Sequence, residues 1–410
     1  RPNIIVLQVE SLDRAVIGRE VNGVEVTPFL NRLSRQAFYG ADFYSQHSRG
    51  GSSDAEIAAL TGLLPAAHAP IMSTQRLTHV PSIARRLRAE AGYRCYGLHG
   101  NSGRFWNRRE AYLALGFDDF IGGERFAGAA AGWDSRDHEF LAQAQTHIKA
   151  WAADDSPFMA YMITQTMHMP FDNAPVTRTE LEDPALDGEV QAYFRSAAYT
   201  DRAIAAFVQG LLRQGLLQNT ALIIYGDHVS KLKSTDYDCG YDRRGENVPL
   251  FIALPWHPGR PLRHAGSHID IGPTIADLAG IGSSDAWFGR SLLRWVPDRL
   301  LPVEIATEPL CVGNATRWPV RLAVDSRYRR ALNYSRSFFM PTTAVRPAAN
   351  VLRRTNYIAH ALGSVDGRTY TNTREAFERG YGLGVRVFEV DLCLTADGHV
   401  VAAHGADRAE

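Results

Sequence analysis

The chain alternates runs of consecutive apolar residues with longer segments in which apolar residues recur every three or four positions. Continuous apolar runs are typical of strands buried on both faces, whereas the periodic segments predict helices. Strands are predicted at Ile4–Val9, Tyr93–Leu98, Phe158–Ile163, Ala221–Tyr225 and Pro249–Leu254. Helices are predicted at Pro28–Ala37, Asp54–Leu60, Pro81–Ala91, Arg136–Ala152, Val190–Gln214 and Asp270–Ala279. This alternation predicts an α/β fold with a mostly parallel sheet and helices on both faces.

The pattern changes twice along the 410 residues, which are too many for one ordinary core. The strand and helix alternation covers residues 1–295, and a less regular segment at 296–354 is interpreted as a peripheral subdomain or linker. A strand, a helix and a strand are predicted in residues 355–410, at Tyr357–His360, Thr371–Phe377 and Val387–Leu392. We therefore expect one large α/β domain, a connecting segment and a partial β/α segment.

Composition and charge exclude several classes of protein. Lys+Arg and Asp+Glu both number 44, so the formal net charge is zero, which argues against a nucleic-acid partner. No apolar run is long enough to span a bilayer. The chain begins without an initiator Met and almost at once with a strand, so we expect any export signal or membrane anchor to precede Arg1.

Two predicted strands lead into acidic residues. Glu10 follows the first strand, and Asp227-His228 follow the strand at Ala221–Tyr225. The carboxyl ends of parallel strands line one crevice, so these distant residues can share a site. With the Ser52 hydroxyl they form a mixed oxygen and nitrogen ligand set, which suits Mn²⁺, Mg²⁺ or Zn²⁺ without selecting among them. Taken alone, an Asp-His pair at a strand end is more often a loop cap or a surface pair.

The segment Gly50–Glu56 contains the candidate nucleophile. Ser53, followed three residues later by Glu56, fits a capping box and predicts a helix start. Ser52 would then lie just outside a helix N-terminus, where free N–H groups favour an anion such as phosphate. A serine hydroxyl needs a base or a metal ion to become nucleophilic at neutral pH. The simpler alternative is that these serines only cap the helix, and the two interpretations are compatible.

Four further side chains follow the same edge of the predicted sheet. His99 ends a strand-like run, and His168 lies just past another, so either could protonate a leaving oxygen or bind phosphate. Arg108 could clamp phosphate oxygens, and Trp106 could pack against a glycerol-sized substrate. Each of them, taken singly, fits a structural role about as well.

Residues from about 3 to 295 resemble the extracellular catalytic domain of lipoteichoic acid synthases and related phosphoglycerol transferases, in the alkaline phosphatase/sulfatase superfamily. The matching stretches are Val9-Glu10-Ser11, Val26-Thr-Pro-Phe-Leu30, Ser52-Ser-Asp-Ala-Glu56, His99-Gly-Asn101, Phe105-Trp-Asn-Arg108, His168 with Pro170-Phe171, Ile224-Tyr-Gly-Asp-His228 and Asn247-Val-Pro-Leu250. They occur in the order found in that family, which makes the resemblance specific.

This resemblance implies a function and a set of roles. Glu10, Ser52, Asp227 and His228 would hold one divalent ion, most often Mn²⁺, with Ser52 as the nucleophile. The pocket for glycerophosphate would be lined by His99, Trp106, Arg108 and His168. The donor would be a phosphatidylglycerol-like lipid, the acceptor a glycan, lipid or glycerol, and the location extracytoplasmic. The chain departs from the family at Ser52, where threonine is usual, and at Gly51, where a larger residue is expected.

Residues from about 355 onward resemble the start of a glycerophosphodiester phosphodiesterase. The matching residues are His360, Thr371-Asn-Thr-Arg-Glu-Ala-Phe377, Glu389-Val-Asp391, Thr395-Ala-Asp-Gly398 and His404. In that family the histidines act as acid and base, and the Glu and Asp bind metal. The match departs at Ala361 and Gly405, where Arg and Asp are usual. Since the family fold is a closed eight-stranded β/α barrel, we expect no diesterase activity from two strands alone.

The function predicted is a metal-dependent phosphoglycerol transferase that works by double displacement through Ser52. The first rival is a hydrolase on the same scaffold, such as a phosphodiesterase, phosphatase or sulfatase. A sulfatase would need a Cys/Ser-x-Pro-x-Arg sequence, whereas Ser52 is followed by Ser-Asp-Ala-Glu. The second rival is a non-catalytic relative that binds glycans or lipids. It would be favoured by the loss of a ligand, but all four candidate ligands are present.

Overall fold

We analysed a computed structural model of the chain. It describes residues 1–65, 70–128, 132–133, 135–175, 179–242, 245–284, 286–294, 300–304 and 309–313, together with short pieces at 358–359, 364–365, 368–369, 378, 387–388, 392–394 and 400–402. The chain divides into two compact units, Arg1–Met340 and Pro341–Glu410. The boundaries expected near residues 295 and 354 remain predictions.

A seven-stranded sheet forms the centre of the first unit. Its strands are β1 Asn3–Val9, β2 Phe38–Gly40, β3 Arg94–His99, β4 Asp119–Ile121, β5 Phe158–Ile163, β6 Thr220–Gly226 and β7 Leu250–Ala253. Their spatial order is β2-β7-β6-β1-β5-β3-β4. Strand β1 runs parallel to β5 and β6, whereas β7 runs antiparallel to β6 and β2. The predicted mostly parallel sheet is therefore confirmed.

Helices pack around this sheet in two groups. They are α1 Pro28–Gln36, α2 Ser52–Thr61, α3 Ile71–Thr74, α4 Ile83–Ala91, α5 Arg108–Ala114, α6 Asp137–Ala152, α7 Gly188–Arg213 and α8 Ile271–Leu278. Helix α7 packs against α1 and α6, whereas α2 packs against α4 and α8. Strands β5 and β6 are buried along their whole length, which explains why their sequences are continuously apolar. Within the described ranges we find no helix that combines the length and apolar composition needed to cross a bilayer.

Smaller elements accompany the sheet and helices in the described part of the first unit. Its two-stranded pairs are Glu20–Val21 with Val24–Glu25, Phe43–Tyr44 with Gly266–Ser267, Tyr241–Asp242 with Gly245–Glu246, and Leu300–Glu304 with Pro309–Gly313. Its 3₁₀ helices are Arg14–Val16, Phe105–Asn107, Gly123–Arg125, Thr179–Leu181 and His268–Asp270.

The described pieces of the second unit form three strand pairs. Ile358–Ala359 runs parallel to Val387–Phe388, and both pieces lie within the two strands predicted there. The other two pairs, Ser364–Val365 with Arg368–Thr369 and Leu392–Leu394 with Val400–Ala402, are antiparallel. The predicted helix at Thr371–Phe377 and the four candidate residues lie outside the described residues. Those candidates are His360, Glu389, Asp391 and His404.

The long elements lie where the sequence predicted them, to within two residues at most ends. The strands β2 and β4 were not predicted, because three residues are too few to show a period, and the seven-residue helix α5 was not predicted either. Helix α2 begins at Ser52 rather than at Asp54, so Ser52 lies in the first turn of the helix and not just outside it.

Candidate active site

Glu10, Asp227 and His228 meet at the carboxyl ends of β1 and β6. These strands pair in parallel with Val9 opposite Gly226, so the residues that follow leave the sheet side by side. One ligand atom from each of the three lies within 4.8 Å of the others. His228 Nε2 is 3.4 Å from Glu10 Oε1 and 3.6 Å from Asp227 Oδ2. Two carboxylates and one imidazole at such spacing can hold a divalent ion.

The two carboxylate oxygens of Asp227 differ in their hydrogen bonding. Oδ1 accepts the backbone N–H groups of Ser11 at 2.8 Å and of His228 at 2.7 Å. Oδ2 is buried and has no hydrogen-bond partner. A buried oxygen without a partner is costly unless a ligand completes it. The donor set therefore fits a cation at this position.

Burial and mutual repulsion shape the charges of the two acids. Burial, reinforced by the negative charge of Glu10, raises the pKa of Asp227 well above its ordinary value. Burial also opposes the ionisation of Glu10. The charges of His228 and His168 and hydrogen bonds from Ser11 and Ser52 outweigh that effect, so the pKa of Glu10 is lowered. A divalent cation would relieve the repulsion between the two carboxylates.

His228 is held in the tautomer that a metal ligand requires. Its Nδ1–H donates to the carbonyl oxygen of Val229 at 3.0 Å, which leaves the Nε2 lone pair facing the two acids. The Val229 N–H donates to Glu246 at 3.2 Å, and the same carboxylate oxygen lies 2.8 Å from His47 Nε2. Although burial opposes it, His47 lowers the pKa of Glu246 to about 2. This buried ion pair braces the backbone next to His228.

Ser52 is the first residue of α2, and its hydroxyl points at the three candidate ligands. Ser52 Oγ donates to Glu10 Oε2 at 2.9 Å and lies 3.3 Å from His228 Nε2. Gly51 precedes the helix with φ 50° and ψ −123°, a backbone conformation that favours glycine. A larger residue, which was expected there from the resemblance, would be strained.

The predicted capping box is wrong. Ser53 Oγ donates to the carbonyl oxygen of Gly50 at 2.9 Å and does not accept from the helix N-terminus. Asp54 shapes the loop instead, because its carboxylate accepts the N–H groups of Ser48 at 3.2 Å and Gly50 at 2.8 Å. Glu56, the other half of the predicted box, faces a different partner.

Glu56 holds the Arg108 side chain in the core. Arg108 Nε and Nη2 donate to Glu56 Oε1 at 3.0 and 2.8 Å, and the Tyr112 hydroxyl donates to Oε2 at 2.7 Å. Burial opposes the charge of Arg108, but Glu56 more than compensates, so the pKa of Arg108 is raised. Arg108 Nη1 is buried without a hydrogen-bond partner. The guanidinium is therefore fixed on one side and left with donors for an anion on the other.

A cleft of about 370 Å³ joins Ser52 to the predicted pocket residues. It is lined by Glu10, Ser48, Arg49, Gly50, Gly51, Ser52, His99, Asn101, Phe105, Trp106, Arg108, Trp133, Gln165, His168, His228 and Lys231. Trp106 and Asn107 are consecutive non-glycine residues with φ 56°, a left-handed conformation that is uncommon for residues other than glycine. The structure thus brings all four predicted pocket residues to the cleft that contains Ser52.

The two histidines of the cleft are oriented by backbone carbonyl groups. His99 Nδ1–H donates to Ile163 O at 3.0 Å, and His168 Nδ1–H donates to Met169 O at 2.7 Å. Both rings therefore have Nε2 left for a ligand. Burial and the charge of Arg108 lower the pKa of His99 well below its ordinary value. His99 is thus a hydrogen-bond acceptor at neutral pH, which disfavours the alternative that it protonates a leaving oxygen.

Several residues of the site were not predicted. Glu56 was assigned to a cap, Trp133 and Arg49 follow no predicted strand, and Lys231 was missed although it lies five residues past β6. The Thr164 hydroxyl, which accepts the Glu10 N–H at 3.0 Å, was also missed. A hydroxyl residue directly after predicted strand Phe158–Ile163 was the signal available for Thr164.

The comparison with known proteins agrees with this fold. The sequence profile of the Sulfatase family matches residues 2–281. The chain therefore belongs to the Sulfatase family, within whose superfamily metal dependence is general.

Individual relatives narrow the comparison. The chain is 29% identical to lipoteichoic acid synthase 2 of Bacillus subtilis over 305 residues, which cover 69% of this chain and 46% of that protein. It is 28% identical to the lipoteichoic acid synthase of Staphylococcus aureus (strain USA300), with 74% and 49% covered. The chain thus spans about half the length of these curated relatives. The crystal structure of the lipoteichoic acid synthase LtaP from Listeria monocytogenes superposes with a TM-score of 0.67 and 26% identity, covering 82% of this chain and 90% of that one.

Proposed function

We propose that the chain is a phosphoglycerol transferase that takes glycerophosphate from a phosphatidylglycerol-like lipid and passes it to an acceptor hydroxyl. The observation that carries this proposal is the position of Ser52 Oγ, 2.9 Å from Glu10 Oε2 and 3.3 Å from His228 Nε2, in a cleft with the partnerless Nη1 of Arg108. The relatives named as lipoteichoic acid synthases support the choice of donor and an extracytoplasmic location.

In the first step Ser52 Oγ attacks the donor phosphorus. The Oγ–P bond forms, the P–O bond to diacylglycerol breaks, and the hydroxyl proton passes toward Glu10 Oε2, its hydrogen-bond acceptor. The departing oxygen takes a proton, for which His168 is the candidate donor when its ring is protonated. The acceptor hydroxyl, or water, then attacks the phosphorus on Ser52: the new O–P bond forms, the Oγ–P bond breaks, and the proton lost by the attacking oxygen replaces the one that Ser52 Oγ gave up.

The other side chains bind and orient the substrate. Arg108 Nη1 would donate to a phosphate oxygen, and His99 Nε2 would accept from a glycerol hydroxyl, against the Trp106 ring. One divalent ion held by Glu10, Asp227, His228 and Ser52, with Mn²⁺ proposed over Mg²⁺ or Zn²⁺, would supply positive charge to the serine oxygen and the phosphate.

Intact mass measurement after incubation with phosphatidylglycerol and Mn²⁺ tests the proposal. We expect the mass to increase by one glycerophosphoryl group, which peptide mapping places on Ser52. Ser52→Ala should show no adduct, whereas Ser53→Ala should retain it, since Ser53 Oγ is turned back to Gly50 O. An adduct that persists in Ser52→Ala, or that appears on another residue, would refute the assignment. Free glycerophosphate formed without an added acceptor would favour the hydrolase.

A further inference from the structure

Large apolar side chains are exposed on two residues that line the cleft, Phe105 and Trp133, and on Met169, which follows the cleft-lining His168. Six large apolar residues are exposed in the part of the chain that the structure describes, and three of them are Phe105, Trp133 and Met169. The ring centroid of Trp133 is 5.1 Å from that of Phe105 and 5.0 Å from that of His168. Met169, the residue after His168, is 51% exposed. We call Phe105, Trp133 and Met169 the apolar rim.

The backbone around the rim is held in place. The carbonyl oxygen of Trp133 accepts from Gln165 Nε2 at 2.8 Å and from Asn173 Nδ2 at 3.3 Å. The Phe105 N–H donates to Ser102 O at 3.0 Å. The backbone at Phe105 and Trp133 is thus fixed by hydrogen bonds. Exposed apolar surface beside a cleft marks a place where another apolar body binds.

Cationic side chains line or neighbour the same cleft. Arg49 and Lys231 line the cleft and are exposed, and Arg104, also exposed, directly precedes Phe105. Aromatic residues beside Lys and Arg form the combination that favours the interface of an anionic bilayer. A sugar would also stack on Trp133, but Met169 offers a sugar neither a ring nor a hydrogen bond. The combination of apolar and cationic groups favours the bilayer.

We propose that the apolar rim and its flanking cations, Arg49, Arg104 and Lys231, dock the chain onto the surface of an anionic phospholipid bilayer. The rim would enter the interfacial layer, so that a lipid phosphate reaches Ser52 while the acyl chains stay in the membrane. The identity of the lipid that enters the cleft rests on the proposed function, whereas docking itself requires only an anionic bilayer.

Vesicle sedimentation of the full chain tests this surface. All proteins carry Ser52→Ala, so that no donor is consumed, and the vesicles are either equal parts phosphatidylglycerol and phosphatidylcholine or phosphatidylcholine alone. We expect stronger binding to the anionic vesicles, weakened by salt. The double change Phe105→Ser and Met169→Ser should weaken binding at least about tenfold. Met169→Leu should retain it.

Trp256→Ser is the matched control, because Trp256 is 49% exposed and does not line the cleft. It should bind vesicles within about twofold of its parent, and equal thermal unfolding midpoints would show that all variants are folded. Equal binding by the rim variant and its parent, or no preference for anionic vesicles, would overturn the proposal. An unchanged vesicle affinity with a weaker affinity for a soluble glycan acceptor would assign the rim to the acceptor and overturn it also. Since the background is inactive, a failed transfer assay leaves this result unaffected.

Discussion

Replacing Glu56 by Gln tests whether Glu56 positions Arg108 for the substrate in addition to stabilising the core. The two side chains have nearly the same shape, so the change creates no cavity. It removes the negative charge and replaces one accepting oxygen by a donating NH₂ group. Glu56 and Arg108 are fully or almost fully buried, and both Glu56 oxygens accept hydrogen bonds. In the variant the Arg108 charge stays buried without its counter-ion.

The magnitude follows from the burial of the pair. Removing one partner of a buried ion pair costs about 3–5 kcal/mol, and the Gln oxygen keeps one acceptor, so we expect a loss near the lower figure. For function, Nη1 is the partnerless guanidinium nitrogen that the proposed function assigns to phosphate, and a shift of its position by about 1 Å can lower kcat/KM by about 10²-fold. The loss should appear mainly as a higher KM for the lipid donor.

Tyr112→Phe is the control for core damage. It removes one hydrogen bond to Glu56 Oε2, worth about 1.5–3 kcal/mol, and keeps the ion pair with Arg108. Urea unfolding gives the stability of each variant, and initial rates with phosphatidylglycerol in micelles give kcat and KM. We expect both variants to be less stable but only Glu56→Gln to lose affinity for the donor. A Glu56→Gln enzyme with an unchanged KM would refute the positioning argument, as would an equal rise in Tyr112→Phe.

Three further predictions concern the metal site, the pH dependence of stability and the serine loop. Chelation should abolish transfer and Mn²⁺ should restore it, and Mn²⁺ should raise the thermal unfolding midpoint of the wild type but not of Asp227→Ala; equal shifts in both would place the ion elsewhere. Burial lowers the pKa of His268 to about 3, so its folded form binds fewer protons than the unfolded chain between about pH 3 and 6.5, and stability is lost as the pH falls through that range. From pH 6 to 4.5 the wild type should lose roughly 2 kcal/mol more than His268→Gln in urea unfolding, and parallel losses would contradict the assignment. Gly51→Ala should cost about 1–3 kcal/mol and lower turnover, whereas Gly18→Ala, at φ 83° with equally open space, should cost stability alone; wild-type turnover in Gly51→Ala would contradict it.

The sequence predicted the parts of this protein that depend on long, regular patterns. Strands β1 and β6 were recognised because they are continuously apolar, and the ligands Glu10 and Asp227 could be paired because parallel strands end at one edge. The pairing of Glu56 with Arg108 could not be predicted, because it depends on where α5 crosses α2 in space. The local pattern at Glu56 fits a capping box equally well, and a tertiary ion pair overrides it.

The pairing of β1 with β6 also determines the order in which the parts of the site would unfold on heating. Central strands are the last segments to open in partial unfolding, whereas loops with few buried contacts open first. Glu10 and Asp227, two of the proposed metal ligands, directly follow the paired residues Val9 and Gly226, whereas Trp133 and the segment after His168 belong to surface loops. With the proposed ion bound, moderate heating should therefore unfold the loops that line the cleft before the ion is released. Inactivation would then precede metal release, and an enzyme cooled in time would recover without being recharged with metal.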